Sequence, residues 1–369
     1  MKIGILSLKY ECNYGGILQS YALQECLKEL GHEVEVINFT RTRPESKMWI
    51  FFNRALSFLF SGKILSILKD RHLESTKKAG ENSRELIENN EIFLKTFINR
   101  SILLDEVLLL DYCKKFDCII VGSDQVWSVT MSSFLPYFLD WDFKGKRIAY
   151  SACTVNSQPA LLNRLKIKKL IRKFDAISVR DDLTYRFVDI TSGVKATITA
   201  DPTLLCDFSK IPTNTIITGQ YIFMYILGEE IDGGNENALK KIKTWLNLNI
   251  PIVSVVIPSN SLAGTEGADK IITNCAPDSW LSLIKNASFV FTDSFHGCVF
   301  SMKYKKPFIG YYKFEKRASR LLDLQKRYGL SNIINKSADI STALDCSSIV
   351  NTNAIEDHIK QSMDFLSRI

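Results

Sequence analysis

The chain has 369 residues, 46% hydrophobic and 11% aromatic, with 18 Gly and 9 Pro; this excludes a single small module, a disordered chain and a fibrous repeat, and two cored domains are expected. Lys plus Arg exceed Asp plus Glu by 47 to 40, a net charge of +7, which excludes a polyanion-coating tail but suits anionic substrates or lipids. No run approaches the roughly 20 apolar residues of a bilayer span, no signal peptide is visible, and nine cysteines lack CxxC spacing, so a cytoplasmic protein with reduced thiols and neither disulfide framework nor zinc site is expected.

Short Val- and Ile-rich runs alternate with segments of helical period, which predicts α/β architecture with parallel sheets. Residues 2–8 read as the first strand and 16–30 as a helix with Leu18, Ala22, Cys26 and Leu30 on one face; Gly31 stops it, and 34–39 form the second strand. From about 41 to 95 a long, charged helical stretch reads as an insertion, a lid or a docking surface, and carries the aromatic segment Trp49 to Phe60. Strands follow at 117–121, 147–152, 176–179 and 196–199, with a helix over 159–173. The polar passage 209–215 has linker composition. Beyond it, strands at 221–227, 252–256, 271–273, 289–292 and 308–311 alternate with helices near 238–246, 278–286 and 298–304. The expectation is an α/β protein of two Rossmann-like domains facing a cleft, residues 1–208 and 216–345, with a C-terminal helix in 346–369 packing back on the first domain. Ligands of such sheets lie beyond the carboxyl ends of the strands.

Three loops at those ends carry chemistry. Asn13-Tyr14-Gly15-Gly16 precedes a helix, whose N-terminal amides favour anions; the glycines serve either that contact or turn geometry alone. In Gly122-Ser123-Asp124-Gln125-Val126-Trp127, Asp124 and Gln125 suit sugar hydroxyls and Trp127 offers a face for a pyranose; the alternatives are a helix-capping Asp and a core Trp. The strongest signal is Asp293-Ser294-Phe295-His296-Gly297, a buried strand opening onto a helix. His296 at the helix start is a natural acid or base, and, if protonated there, needs an anion beside it such as Asp293 or a bound phosphate or carboxylate. Arg180 is the best placed cation for an acidic ligand, with Lys313, Arg317 and Arg320 as further candidates. Cys298 reads as a packing residue.

At these residues the chain resembles the polysaccharide pyruvyl transferase family. The resemblance rests on the segment from Asn13 to Leu23, on Gly122 to Trp127, on Ile177-Ser178-Val179-Arg180-Asp181, on Ala200-Asp201-Pro202-Thr203 and on Asp293 to Gly297, in that order, over about residues 1–325 apart from the insertion. It implies a GT-B-like fold, transfer of pyruvate from phosphoenolpyruvate onto two hydroxyls of a sugar as a cyclic ketal, and no metal or other cofactor. It links His296 and Arg180 to the donor, and Ser294, Gly297, Lys313, Arg317 and Arg320 join them as donor-side residues. Asn13, Tyr14, Gly15, Gly16, Gln19, Ser123, Asp124, Gln125 and Trp127 fall to the acceptor side. His296 is the expected general acid, with Asp124 or Asp293 accepting the hydroxyl proton. Many relatives have Arg-Leu-His where this chain has Ser294-Phe295-His296, so Lys313, Arg317 or Arg320 must replace that guanidinium.

The expected partners are phosphoenolpyruvate and a saccharide acceptor, lipid-linked and presented at the inner face of the membrane, with Trp49 to Phe60 as a peripheral contact and no nucleic acid. A nucleotide-sugar glycosyltransferase of the same plan, or a non-catalytic glycan-assembly protein at the membrane face, are the competing readings.

Overall fold

The computed structural model describes residues 1–8, 12–41, 81–130, 132–258, 262–315, 318–348 and 350–369. Its first sheet consists of β1 (Lys2–Leu6), β2 (Glu33–Val36), β3 (Cys118–Asp124), β4 (Lys146–Ala152), β5 (Ala176–Val179) and β6 (Thr197–Ile198), all parallel, in the order β2-β1-β3-β4-β5-β6. The second consists of β7 (Ile222–Tyr225), β8 (Ile252–Val255), β9 (Lys270–Ile272), β10 (Phe289–Thr292), β11 (Phe308–Tyr311) and β12 (Ile333–Ile334), also parallel, in the order β12-β11-β10-β7-β8-β9. The α-helices are α1 (Tyr14–Glu29), α2 (Glu81–Phe97), α3 (Glu106–Tyr112), α4 (Arg164–Ile171), α5 (Asp182–Ser192), α6 (Pro202–Leu205), α7 (Asn235–Leu246), α8 (Pro277–Asn286), α9 (Phe295–Lys303), α10 (Ser319–Tyr328), α11 (Ile340–Asp345) and α12 (Thr352–Ser367).

β3, β7, β8, β10 and β11 are buried along their whole length, as parallel strands covered on both faces must be. Each sheet has one place where chain order reverses, between β1 and β3 and between β7 and β10. Crevices open there because the loops leaving the two neighbours diverge. The Asn13, Asp124 and Asp293 loops stand at these two places.

α1 departs from its expected one-sided stripe: every residue from Tyr14 to Leu27 is buried, because this helix lies between the two halves and not against solvent. Tyr14 stacks on Trp280 of α8 (centroids 5.7 Å) and donates to the Cys275 carbonyl (2.9 Å). One core cluster accordingly runs through both sheets, from Ile3 and Ile120 to Tyr225 and Phe300. α12 returns to the first half, where Ser362 Oγ accepts from Ala200 N (2.8 Å) and Phe365 approaches Tyr150 (6.1 Å).

The expected insertion falls largely on residues outside those described, and Trp49 to Phe60 lies wholly outside them. Its last part is α2. The helix expected over 159–173 is shorter, because a one-turn 3-10 segment at Leu161–Asn163 precedes α4. All nine cysteines are free. Among the described residues no helix is long and apolar enough to cross a membrane.

Candidate functional site

The residues at the two crevices form one connected cluster that joins the halves. Arg180 leaves the end of β5 and is 4% exposed. Its Nη2 donates to Asp124 Oδ1 and its Nη1 to Asp201 Oδ2, both at 2.9 Å, and its guanidinium lies 4.4 Å above the Phe295 ring. Asp124 ends β3 at φ 71°, a left-handed position costly for a non-glycine residue.

Asp201 caps α6, its Oδ1 accepting from Thr203 N (3.0 Å) and Thr203 Oγ1 (2.7 Å). Its Oδ2 also accepts from Ser123 Oγ (3.3 Å) and faces His296 Nε2 at 3.6 Å. Burial alone would push this carboxyl up, but the His296 contact and the Arg180 charge outweigh it and hold the group well below the usual range. Burial likewise opposes the charge of Arg180; Cys153, Asp124 and Asp201 around it reverse the balance and raise its pKa.

His296 is the second residue of α9, behind the Ser294 cap, whose Oγ accepts from Gly297 N (3.3 Å). Its ring is pressed on Gly15 of the other half: a Cβ at Gly15 would lie 2.0 Å from Nδ1. Gly15 is therefore required by the close approach of an imidazole, not by turn geometry. Its neighbour Gly16 donates its N–H to Asn13 Oδ1 (3.2 Å), the cap of α1. His296 Nε2 is buried and makes no hydrogen bond.

Asp293 belongs to the second crevice. Its oxygens accept from Leu227 N and Gly228 N, both at 2.7 Å, and so tie the end of β10 to the end of β7. Burial pushes its carboxyl up to about 6 against the pull of those amides and of Arg320. It lines a cavity of about 80 Å³ with Tyr311, Lys313, Phe314 and Leu321. Arg320, 30% exposed, stands nearby, 4.0 Å from Asp124 and 5.8 Å from the Phe295 ring.

Several expectations are corrected by this geometry. The carboxylate that faces His296 Nε2 is Asp201 (3.6 Å), while Asp293 accepts one backbone amide on each oxygen. Arg180, expected to face the donor, gives one N–H of each η nitrogen to Asp124 and Asp201, while its buried Nε makes no hydrogen bond. Trp127 is no platform for a sugar: fully buried, it stacks on Phe138 (5.5 Å) and donates to the Tyr137 carbonyl (2.9 Å).

Gln19 and Ser123 are also fully buried, and Ser123 N donates to Gln19 Oε1 (3.2 Å), so they brace the loop instead of facing a ligand. Tyr14 is spent on Cys275 and Trp280. Ser294 is a cap, and Gly297 lies where a Cβ would meet Thr292 Oγ1 at 2.5 Å. His296 itself is 5% exposed. Gln125 remains half-buried beside the cluster, Lys313 is exposed, and Arg317 lies outside the described residues. The residue missed as a site candidate is Asp201. In Asp201-Pro202-Thr203 it carries the mark of a helix cap, Pro at the first helical position, and that local role hides its second oxygen.

A family model described as polysaccharide pyruvyl transferase matches residues 13–312. No curated protein matches the chain. In fold the chain is similar to UDP-GlcNAc 2-epimerase from Methanocaldococcus jannaschii, with 14% identity, TM-score 0.53 and full coverage of both chains. It is also similar to UDP-GlcNAc 2-epimerase from Neisseria meningitidis bound to UDP-GlcNAc, with 12% identity, TM-score 0.51 and full coverage of both. A third is Arabidopsis thaliana UGT89C1 complexed with UDP-L-rhamnose, with 9% identity and TM-score 0.50 over 99% of this chain and 94% of that one. At such identities the likeness is one of fold, two parallel sheets with their helices in the GT-B arrangement.

Proposed function

The chain belongs to the polysaccharide pyruvyl transferase family, and from that premise we propose that it transfers the pyruvyl group of phosphoenolpyruvate to two hydroxyls of a saccharide, with His296 as the proton donor. The observation that carries this reading is convergence. Gly15, Asp124, Arg180, Asp201 and His296, drawn from five separate segments of the chain, meet in one unbroken set of contacts.

In the proposed reaction His296 protonates the methylene carbon of the enol ester, and the carbon bearing the phosphate becomes electrophilic. One hydroxyl adds there and gives its proton to the base; the second then displaces inorganic phosphate, its proton leaving on the phosphate, and closes the ketal. General acid catalysis of this kind contributes about 10²–10⁴-fold. Asp201 Oδ2 faces the imidazole, Arg180 holds Asp201, and Asp124 holds Arg180. Asp293 is assigned the role of base, since its carboxyl, pushed up to about 6, is ionised at neutral pH and borders a cavity. Arg320 and Lys313 are assigned the donor's charge, because they are the partly exposed and exposed cations beside Asp124 and Asp293. The space around Arg180 and Phe295 is about 10 Å³, so substrates enter when the halves part along the Tyr14 and Gly15 contacts. The acceptor is assigned to a lipid-linked glycan at the inner face of the membrane.

The test is to incubate the enzyme with phosphoenolpyruvate and candidate lipid-linked saccharides, and to measure phosphate release together with the mass gain of the acceptor. Ketal formation by the native enzyme and its loss in His296→Ala are expected. Equal yields from both proteins would remove His296 from the chemistry. Calorimetric binding of UDP in place of phosphoenolpyruvate would overturn the donor assignment in favour of a nucleotide-sugar reaction.

A further inference from the structure

The outer layer of the first sheet carries a strip of one-sided charge. No acidic residue lies between Asp142 and Asp175, while Arg164, Lys166, Lys168, Lys169, Arg172 and Lys173 crowd a ten-residue stretch. α4 buries Ile167, Leu170 and Ile171 against the sheet, which turns these cations to the outside. Lys166 pairs with Asp140 (2.5 Å), and Arg172 donates to the Ser192 carbonyl (2.9 Å). Among the described residues the other four make no ion pair.

Amid these charges Leu161, Leu162 and Leu165 stand 40%, 42% and 74% exposed. They are held out by a braced turn. Asn163, buried between them, donates through Nδ2 to the carbonyls of Thr130 (2.7 Å) and Ser132 (2.6 Å), and Ala160 N donates to Thr130 Oγ1 (3.3 Å). The turn follows β4, whose last residue, Ala152, accepts from Arg180 N (3.1 Å), so the strip starts at the same end of the sheet as the His296 cluster.

We propose that this strip is a membrane-docking surface for a bilayer rich in anionic lipid. Unpaired lysines and arginines meet the headgroups, and the leucines enter the boundary of the acyl chains. A nucleic acid would satisfy the cations but offer nothing to Leu165. The second exposed aliphatic group, Ile102, Leu103, Val107 and Leu108 around α3, stands beside Asp105 and Asp111 and lacks the charge for such a surface. The strip lies apart from the transfer chemistry, and its test contains neither donor nor acceptor, so its failure leaves the pyruvyl-transfer reading standing.

The experiment is co-sedimentation of the full chain with vesicles of phosphatidylcholine mixed with phosphatidylglycerol, against phosphatidylcholine alone. Binding to the mixed vesicles, weakened by salt, is expected. Each lysine at such a surface contributes about fivefold, so the double variant Lys168→Glu, Lys169→Glu lowers partitioning about 25-fold or more. Leu165→Ser lowers it roughly tenfold, and Leu108→Ser leaves it unchanged; the four substituted side chains are exposed or half-buried, and all three variants should keep the native Tm. Absence of binding to the mixed vesicles overturns the proposal, as does binding that survives both strip variants. Equal retention by polyuridylate, insensitive to Leu165→Ser, would assign the strip to nucleic acid instead.

Discussion

Gly15→Ala is the sharpest probe of how the two halves meet. The added Cβ would stand 2.0 Å from His296 Nδ1 and 2.3 Å from its Cγ. Ordinary contact begins at about 3.5 Å, so the ring or α1 must give way by about 1.5 Å. Overpacking of this kind costs about 1–3 kcal/mol, which exceeds the few tenths to about 1 kcal/mol that Ala gains over Gly in a helix. A displacement of about 1 Å at a catalytic group can also cost about 10²-fold in rate.

The decisive measurement is a double-mutant cycle with His296→Ala, read by thermal or urea unfolding, which needs no substrate. In the native background Gly15→Ala should destabilise. In the His296→Ala background the ring is gone and the same substitution should be neutral or stabilising, a coupling of about 1–3 kcal/mol between residues 281 positions apart (296 − 15). Destabilisation of equal size in both backgrounds would refute the contact, and with it the placing of the imidazole between the halves.

Asp201→Asn leaves the buried Arg180 with Asp124 as its remaining carboxylate and should cost about 3–5 kcal/mol in unfolding free energy. Because the folded Asp201 titrates well below its unfolded value of about 3.9, the stability it contributes is full at neutral pH and is lost as pH falls below about 5; the variant should lack that acid component. Asp293 has the opposite sign. Its folded carboxyl, pushed up to about 6, keeps a proton that the unfolded chain releases, so its component of stability falls as pH rises from about 4 to about 6. The difference between native protein and Asp293→Asn in pH-dependent unfolding should change over that window and be flat above it; a flat difference throughout would remove the raised carboxyl. Trp127→Ala should destabilise by about 3–5 kcal/mol as a core truncation, with acceptor KM unchanged for the fraction that remains folded, whereas a selective rise in KM would restore it to the acceptor site.

Much of the fold was legible because it is written locally. Strands such as 176–179, 289–292 and 308–311 are short apolar runs whose period needs no partner to be read, and they stand at those residues in the structure. The loops beyond them follow from chain order and the right-handed crossover. The two-residue β12 is too short to carry a period at all. The candidate site was legible as a set of segments, Asn13 to Gly16, Gly122 to Trp127, Arg180 and Asp293 to Gly297, with Asp201 to Thr203 present only as a motif of the resemblance, but not as a division of labour.

That division depends on distances between atoms far apart in the chain. Whether Trp127 faces a sugar or Phe138, whether Arg180 is free or held by two carboxylates, and whether His296 is answered by Asp293 or Asp201 are matters of a few ångströms. Residue type and spacing leave both outcomes open in each case. Composition and periodicity settled that two parallel α/β sheets would form, since burying apolar stripes is a local demand. Only packing one half on the other decided which polar groups pair, because a buried charge takes whichever partner the closed structure brings within reach.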